Sequence, residues 1–282
     1  MRVARHGAPG RETPIVTDDD GVWRDLRPLT DDVDGAFLSK GWEPVRAALA
    51  AGTLPEVSSD ITRFGPPLVN IGKIICIGLN YIDHIRETNA ETPVEPVVFL
   101  KTPDTVVGPN DEVLIPRKSV KTDWEVELAI VIGSTARYLS GPDDAQACIA
   151  GYAISNDVSE REFQIERGGQ WDKGKNCETF NPFGPWIADA HELGDPQNLA
   201  MRLWVNGTLR QDGNSKNMLF GISHLVWYLS QFLVLRPGDV INTGTPHGVA
   251  LGLPDHPYLR PGDVVELEID GLGRQRQVFG AA

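Results

Sequence analysis

The apolar positions of this chain fall in short runs that are separated by turn-forming residues. From residue 73 onward the runs are punctuated by Gly and Pro, and an Asn206-Gly207 pair between two of them favours a tight hairpin turn. The segment Arg-Pro-Gly-Asp-Val occurs at residues 236–240 and again at 260–264, each time before a β-rich run. Because Pro suits the second position of a type II turn and Gly the third, both segments are predicted to be turns that lead into strands.

Helical patterns are fewer than strand patterns. The sequence indicates one helix after Asn80, one after Ser159 and one over residues 223–233. Asn80 suits the N-cap of the first helix, and Asp83 suits its first turn. Ser159 and Glu162 match a capping box for the second helix. Many short strands with few helices predict a β-rich α+β fold rather than a doubly wound sheet.

The first 65 residues have the pattern of a separate small unit. Two strand-like pieces flank residues 18–21, where an Asp-Gly step favours a tight turn. A helix is predicted over residues 42–52, and Gly65-Pro66-Pro67 is predicted to be a linker. We therefore expect a small N-terminal α/β domain over residues 1–65 and a larger domain over residues 66–282.

Two carboxylates open one of the apolar runs. Glu125 and Glu127 precede a β-branched stretch that continues to Ile132. Side chains alternate across a strand, so both carboxylates point to one face, about 7 Å apart along the chain. They could lie on the solvated face of a half-exposed sheet. The continuous apolar stretch instead favours a buried strand, where close carboxylates resist ionisation unless a cation joins them.

A third carboxylate could complete a metal site. Asp157 follows another short apolar run and could lie beside Glu125 and Glu127. Hard divalent cations prefer oxygen ligands of this kind. The pattern therefore predicts a metal site, and the chain is predicted to be an enzyme.

His84 and Glu87 are three residues apart in the helix predicted after Asn80, so they share a face of it. A carboxylate beside an imidazole orients the ring and raises its basicity, which a general base near neutral pH requires. The same spacing also occurs in exposed helix contacts, and the pair alone does not distinguish the two interpretations.

Arg161 and Gln164 follow Asp157 and share one face of the next predicted helix. A guanidinium and an amide at this place could hold a substrate carboxylate or a developing oxyanion. Without Asp157 nearby, they would be interpreted as polar groups on an exposed helix.

Two loops carry further candidate residues. Residues 169–175 match the start of a nucleotide-binding P-loop, but Asn176 replaces the hydroxyl that would bind Mg²⁺, and no apolar strand precedes them. We therefore reject a nucleotide site and retain Lys175 as a cation on a loop. Residues 242–248 include Thr245 and end an apolar run; their small hydroxyl residues and flexible backbone could line a pocket and donate to an anion.

Composition and charge restrict the partners. The 282 residues are 41% hydrophobic and 23% charged, and the formal net charge of -13 argues against a nucleic-acid or anionic-membrane partner. The three cysteines, Cys76, Cys148 and Cys177, fit neither a zinc site nor a disulfide framework, which indicates a reducing compartment. We expect neither a signal peptide nor a membrane span, and a cytoplasmic location.

Taken in order, five segments resemble those of the fumarylacetoacetate hydrolase superfamily. The resemblance extends from about residue 73 to the C-terminus, and the small N-terminal unit is similar to that of bacterial members. It rests on the segments Gly78–His84, Glu125–Glu127, Asn156–Arg161, Gly174-Lys175 and Thr243–Pro246. Residues 168–171 are also similar to a bacterial subgroup that includes acylpyruvases, 2,4-diketo-3-deoxy sugar acid hydrolases and proteins described as ureidoglycolate lyases.

The resemblance implies a fold, a metal and a set of site residues. The fold is a mixed β-sandwich roll, usually a homodimer, and the metal is Mg²⁺, or sometimes Mn²⁺ or Ca²⁺, held by Glu125, Glu127 and Asp157. The implied catalytic residues are His84, Glu87 and Lys175, and the implied substrate contacts are Arg161, Gln164 and Thr245. Asp83 could be a further aspartate near the metal or only a helix cap.

The implied reaction is the Mg²⁺-dependent hydrolysis of a C–C bond in a 2,4-dioxo acid, either an acylpyruvate or a 2,4-diketo-3-deoxy sugar acid. His84 would activate the water, and Lys175 with Arg161 or Gln164 would stabilise the oxyanion. The same site could instead decarboxylate oxaloacetate, isomerise an unsaturated dioxo acid or cleave ureidoglycolate. A metal-stabilised scaffold without activity is the remaining alternative. Loops over residues 86–96 and 252–258 are expected to select the substrate group beyond C4.

Overall fold

The computed structural model of the chain describes residues 1–18, 20–57 and 61–282. Within these residues the strands are β1 (Arg2–His6), β2 (Thr13–Thr17), β3 (Arg24–Asp25), β4 (Ile74–Gly78), β5 (Val97–Lys101), β6 (Val106–Val107), β7 (Val113–Ile115), β8 (Thr122–Asp123), β9 (Val126–Ile132), β10 (Ile149–Asn156), β11 (Ser159–Glu160), β12 (Asn181–Asp189), β13 (Ala200–Val205), β14 (Thr208–Asn214), β15 (Val240–Asn242), β16 (Val264–Ile269) and β17 (Gly273–Ala281).

The helices are short and lie between these strands. The α-helices are α1 (Gly35–Leu38), α2 (Glu43–Ala50), α3 (Ile82–Glu87), α4 (Asp172–Lys175) and α5 (Ile222–Ser230). A π-helix covers Glu162–Glu166. Short 3-10 helices cover Pro103–Thr105, Pro142–Asp144, Gln146–Cys148, Pro196–Asn198, Ser215–Asn217 and Ala250–Gly252. Among the described residues, no helix combines the length and the apolar character that crossing a membrane requires.

The strands form three sheets. The largest has ten strands in the order β3-β2-β1-β12-β10-β9-β15-β4-β5, with β6 pairing to β12. A five-stranded sheet has the order β14-β13-β16-β17-β7, and β8 pairs with β11. This strand-rich arrangement with a few short helices confirms the predicted β-rich α+β fold.

Strand β9 is buried on both of its faces. Leu128 and Ile130 belong to the hydrophobic core that β9 shares with the five-stranded sheet. Ala129 and Val131 point the other way, into the core that contains residues of α1 and α2. Because both faces are covered, this strand has a continuous apolar sequence instead of an alternating one.

The N-terminal strands are part of the central sheet. β1 pairs antiparallel with β12, where Val3 lies opposite Ile187. Trp42, just before α2, donates its indole N–H to the Ala150 carbonyl oxygen at 2.8 Å. The two parts of the chain thus share a sheet and a core, and the domain boundary near residue 65 stays a prediction. The turn predicted over residues 18–21 lies between β2 and β3, but Asp19 is outside the described residues.

Several local predictions agree with the structure. The helix predicted over residues 42–52 corresponds to α2. Asn206 and Gly207 connect β13 to β14 with φ angles of 50° and 77°, as a type I′ hairpin turn requires. In the first Arg-Pro-Gly-Asp-Val segment, Gly238 has a φ of 86°, and the Asp239 N–H donates to the Arg236 carbonyl oxygen at 2.9 Å. That segment is therefore a turn that leads into β15.

The predicted cap of α3 is wrong. Tyr81, and not Asn80, is the N-cap residue. The Asn80 amide instead donates to the carbonyl oxygens of Phe220 and Thr243, at 3.1 and 2.8 Å, and accepts from the Phe220 N–H at 2.9 Å. Its side chain is therefore used to join α3 to two distant segments.

The capping box predicted at Ser159 and Glu162 is also wrong. Ser159 lies in β11, and its hydroxyl donates to the Asp157 carbonyl oxygen at 2.9 Å. The helix that follows starts only at Glu162 and has π geometry. The third predicted helix, over residues 223–233, is present as α5, which ends three residues earlier than predicted.

Candidate active site

Four strand ends meet at one edge of the central sheet. β15 runs parallel to β4 and antiparallel to β9, and β9 runs antiparallel to β10. The ends of β4, β15 and β10 therefore lie beside the start of β9. The segments that adjoin these four ends contain most of the candidate residues.

The three candidate metal ligands come together there. In the β9–β10 pair Asn156 lies opposite Val126, so Asp157 adjoins Glu125, and the Asp157 N–H donates to the Glu125 carbonyl oxygen at 3.0 Å. One carboxylate oxygen from each of Glu125, Glu127 and Asp157 lies within 4.8 Å of the others, and all three residues are buried. We call these three residues the carboxylate cluster.

Three buried cations contact the carboxylate cluster. Lys175 Nζ lies 2.8 Å from Glu125 Oε2 and 2.8 Å from Asp157 Oδ2. Arg161 Nη2 lies 2.7 Å from Glu125 Oε1. Lys101 Nζ lies 2.7 Å from Asp157 Oδ1. The contacts are distributed unequally over the cluster, because all three cations contact Glu125 or Asp157 and none of these contacts is to Glu127.

The charges of the cluster leave Glu127 without full compensation. Burial opposes ionisation of Glu125, but Lys175 and Arg161 outweigh it and lower the pKa of that carboxyl to about 2. Burial, together with Asp157 and Glu125, raises the pKa of Glu127 well above its usual value. Buried carboxylates in this state are stabilised by a further cation. Three oxygen donors and uncompensated negative charge fit a hard divalent metal ion.

His84 and Glu87 contact each other at the same site. His84 Nδ1 lies 3.2 Å from Glu87 Oε2, and Glu87 Oε1 accepts from the Gly248 N–H at 2.8 Å. His84 is only 8% exposed, so this pair is not the exposed helix contact that the spacing alone also allowed. The carboxylate is held on both oxygens and can fix the orientation of the ring.

Arg161 and Gln164 contact each other beside the carboxylate cluster. Arg161 Nη1 donates to Gln164 Oε1 at 3.0 Å, and Arg161 Nε donates to Asp123 Oδ2 at 2.8 Å. Gln164 is buried in the middle of the π-helix, a geometry that is frequent at functional sites. Asp123 thus holds the Arg161 guanidinium through Nε, while Nη1 contacts Gln164 and Nη2 contacts Glu125.

The loop after β15 contacts β9. The Gly244 N–H donates to Glu127 Oε2 at 2.8 Å. The Thr245 hydroxyl donates to the Val126 carbonyl oxygen at 2.9 Å and accepts from Gln211 Nε2 at 2.8 Å. Thr245 faces the cavity, but its hydroxyl hydrogen is already used within the protein. Donation to a substrate carboxylate would require the bond to Val126 to break.

Asp83 lies apart from the carboxylate cluster. Its Oδ1 accepts from the His84 N–H at 2.8 Å, and its Oδ2 accepts from Asn217 Nδ2 at 3.0 Å. His247 Nδ1 lies 3.4 Å from the same Oδ2. These contacts favour the helix-start interpretation over that of a metal ligand.

A cavity of about 320 Å³ joins these groups. Its lining includes seven of the nine candidate residues, namely His84, Glu125, Glu127, Arg161, Gln164, Lys175 and Thr245. Glu87 and Asp157 lie directly behind His84 and Lys175. Of the two loops expected to select the substrate, the first contributes Thr88 and Ala90 to the lining. The described lining residues include none from 252–258.

Two charged residues that contact the candidate residues, Asp123 and Lys101, are absent from the sequence-based set. Asp123 could have been found, because Asp123, Glu125 and Glu127 are two residues apart in succession and so share one face of an extended chain. Lys101 had only a weak signal, a lysine that ends the apolar strand β5. Its contact with Asp157 depends on the fold and joins residues 56 positions apart.

Known proteins are similar to this chain over its whole length. A 2,4-didehydro-3-deoxy-L-rhamnonate hydrolase of Sphingomonas sp. (strain SKA58) is 46% identical over 280 residues, which are 98% of this chain and 95% of that protein. The solved structure of a fumarylacetoacetate hydrolase from psychrophilic Exiguobacterium antarcticum has a TM-score of 0.88 and 34% identity, with 100% of both chains covered. That of a 5-carboxymethyl-2-hydroxymuconate delta-isomerase from Mycobacterium smegmatis has a TM-score of 0.77 and 30% identity, with 100% of this chain and 99% of the other covered.

The family model for the C-terminal region of fumarylacetoacetate (FAA) hydrolase matches residues 73–279, which is most of the chain. The matched region includes the carboxylate cluster, the His84–Glu87 pair and Lys175. The expected family is therefore confirmed, and the chain belongs to the fumarylacetoacetate hydrolase family.

Proposed function

We propose that this protein is a Mg²⁺-dependent hydrolase that cleaves the C3–C4 bond of a 2,4-dioxo acid. The observation that carries the proposal is one cavity whose lining includes both Glu125 and Glu127 of the buried carboxylate cluster and a histidine that a carboxylate orients. A metal site without the His84–Glu87 pair would bind a 2-oxo acid but would lack a base for water. The name of the Sphingomonas relative supports a hydrolase of this substrate class.

In the proposed enzyme, the carboxylate cluster holds the metal ion. A bound Mg²⁺ would supply Lewis-acid chemistry and would hold the carboxylate and 2-oxo end of the substrate. Mn²⁺ or Ca²⁺ could bind to the same oxygen donors. Gly244 and Lys101 keep Glu127 and Asp157 oriented through the contacts described above.

His84 acts as the general base. Glu87 Oε2 faces His84 Nδ1, so Nδ1 carries the hydrogen and Nε2 is left to accept a proton from water. The activated water attacks C4 of the substrate. Lys175 uses two of its three ammonium hydrogens on Glu125 and Asp157, which leaves one for the oxyanion at C4. Arg161 and Gln164 are the further candidates for this contact.

The reaction balances with water as the only co-reactant. Water forms a new C–O bond at C4, and the C3–C4 bond breaks with its electron pair going to C3. C3 then takes a proton, so the products are pyruvate and a carboxylic acid that contains C4 and the group beyond it. His84, protonated in the first step, is placed to return the proton.

Pyruvate release tests the proposal. Mg²⁺-loaded protein should release pyruvate from a 2,4-dioxo acid faster than from oxaloacetate, and EDTA should abolish the release. Release from oxaloacetate alone would make the protein a decarboxylase. The similarity to a delta-isomerase supports isomerisation as the second candidate, which would appear as a change in substrate absorbance without pyruvate.

A further inference from the structure

The cavity has one charged end and one apolar end. The charged end is lined by Glu125 and Glu127 of the carboxylate cluster, with Lys175 and Arg161. At the other end the lining changes to aromatic and aliphatic side chains. Four of these, which we call the apolar wall, are Phe99, Ile165, Trp171 and Leu251.

The contacts of Phe99 show how the two ends are connected. Lys175 Nζ lies 5.0 Å from the centroid of the Phe99 ring. The Trp171 ring packs against the Phe99 ring, with the two ring centroids 5.5 Å apart and the two planes at 64°. A molecule that extends from the carboxylate cluster past Lys175 therefore meets two aromatic rings.

The Trp171 indole packs directly against Gly78. A Cβ atom at Gly78 would lie 2.3 Å from Cζ3 of the Trp171 ring, so only glycine leaves room for the indole. The ring therefore lines the cavity directly beside the end of β4.

Leu251 and Ile165 are tied to the charged end through the backbone. The Leu251 N–H donates to Asp123 Oδ2 at 3.0 Å, and the same oxygen accepts from Arg161. Ile165 follows the buried Gln164 in the π-helix, but it is 47% exposed, so its side chain lies at the mouth of the cavity. Both residues of the apolar wall therefore adjoin residues of the charged end.

The apolar wall offers no partner for a second anion. Among the described residues that line the cavity, the cationic or basic side chains are His84, Arg161 and Lys175, and each already contacts a carboxylate. A carboxylate placed against the apolar wall would lose its water without gaining a cation. An uncharged group would gain contact with the aromatic rings instead.

We infer that the cavity selects 2,4-dioxo acids whose group beyond C4 is short and uncharged, and that the apolar wall determines this selectivity. The volume agrees, because about 320 Å³ lies at the lower end of the ~300–1,000 Å³ typical of small-molecule sites. The inference rests on the proposed function for its substrate class. It assigns to Trp171 and Ile165 a role in specificity rather than in catalysis.

Binding measurements test this selectivity without depending on turnover. The probes are 2-oxoheptanoate and 2-oxoheptanedioate, which have no 4-oxo group and differ only in a terminal methyl or carboxylate. Calorimetry with Mg²⁺-loaded protein should show at least ~30-fold tighter binding of 2-oxoheptanoate. Equal affinities, or tighter binding of the dicarboxylate, would overturn the inference.

Two variants locate the selectivity. Trp171→Ala should weaken the binding of 2-oxoheptanoate about tenfold. The affinity for pyruvate should be unchanged, because pyruvate reaches only the charged end. Ile165→Lys should narrow the preference for 2-oxoheptanoate by about fivefold, since an exposed cation at the mouth gives the dicarboxylate a weak partner. The matched control is Leu209→Lys, because Leu209 is also 47% exposed but lies on β14, outside the cavity lining. If Leu209→Lys has the same effect as Ile165→Lys, the apolar wall does not determine the selectivity.

Turnover separates the inference from the proposed function. Pyruvate release is compared for 2,4-dioxoheptanoate and 2,4-dioxoheptanedioate. Faster release from 2,4-dioxoheptanoate supports both the hydrolase function and the inferred selectivity. Equal release from the two substrates refutes the selectivity but still supports the hydrolase function. Release from neither refutes the hydrolase, and the binding ratio of the two 2-oxo acids then decides the selectivity by itself.

Discussion

Lys101 Nζ lies 2.7 Å from Asp157 Oδ1, and both side chains are fully buried. The same ammonium donates to the Val158 carbonyl oxygen at 3.2 Å. Lys101 therefore balances part of the charge of the carboxylate cluster from behind, on the oxygen of Asp157 that Lys175 does not contact. Removing such a partner from a buried carboxylate lowers the free energy of unfolding by about 3–5 kcal/mol.

This pair predicts a metal-dependent effect of Lys101→Met on stability. The free energy of unfolding should fall by about 3 kcal/mol in EDTA and by clearly less in Mg²⁺, because the metal ion replaces the lost positive charge. Urea unfolding under both conditions measures the difference. The control is Lys73→Met, since Lys73 pairs with the buried Asp239 away from the cavity. An equal loss for Lys101→Met with and without Mg²⁺ would contradict the prediction.

The sequence was sufficient where a short-range pattern determines the structure. Alternation along one strand placed Glu125 and Glu127 on one face, and a spacing of three placed His84 beside Glu87. The Asn-Gly pair specified its hairpin because both residues adopt positive φ angles there. These predictions needed no knowledge of the neighbouring elements.

The sequence failed where distant residues compete for a side chain. Asn80 looks like a helix cap, but its amide bonds to Phe220, 140 positions away. Ser159 looks like half of a capping box, but it is drawn into β11 by pairing with Asp123. Lys101 reaches Asp157, and Trp171 reaches the cavity, only because β5 and α4 pack against each other. The local pattern alone does not specify any of these contacts.

The contact between His84 and Glu87 predicts a catalytic loss without a loss of metal. His84→Ala should lower kcat for a 2,4-dioxo acid by about 10²–10⁴, the usual contribution of a general base. Affinity for Mg²⁺ should be unchanged, because His84 is not a member of the carboxylate cluster. Steady-state pyruvate release and Mg²⁺ calorimetry measure the two effects. His191→Ala, at an exposed histidine, is the control. A variant that keeps a tenth or more of the wild-type kcat would exclude His84 as the base.

The position of Lys175 predicts that its loss affects two reactions of the same site to different extents. Lys175→Met should lower the hydrolysis of a dioxo acid by about 10²–10³, because the oxyanion at C4 loses a donor. Decarboxylation of oxaloacetate involves no attack at C4, so any such activity should fall much less. The control is Lys173→Met, since Lys173 is an exposed lysine on the same helix, α4. Equal losses in both reactions would mean that Lys175 serves the carboxylate cluster and not the oxyanion.

The raised pKa of Glu127 predicts that metal binding releases a proton. Burial, Asp157 and Glu125 raise the pKa of this carboxyl well above its usual value, so the metal-free protein holds a proton there more readily than an exposed glutamate does. A metal ligand must be deprotonated, so Mg²⁺ has to displace this proton. Affinity for Mg²⁺ should therefore rise with pH, and Mg²⁺ should stabilise the fold more at pH 8 than at pH 6.

Calorimetry in buffers with different ionisation enthalpies measures the proton directly. The apparent binding enthalpy should change with the buffer by an amount that corresponds to release of up to one proton, with the larger release at the lower pH. Glu127→Gln keeps the shape of the side chain but carries no titrating proton, so its weaker Mg²⁺ binding should be independent of the buffer. Binding by the wild type with the same enthalpy in every buffer, and with a pH-independent Kd, would show that Glu127 is already ionised before the metal binds.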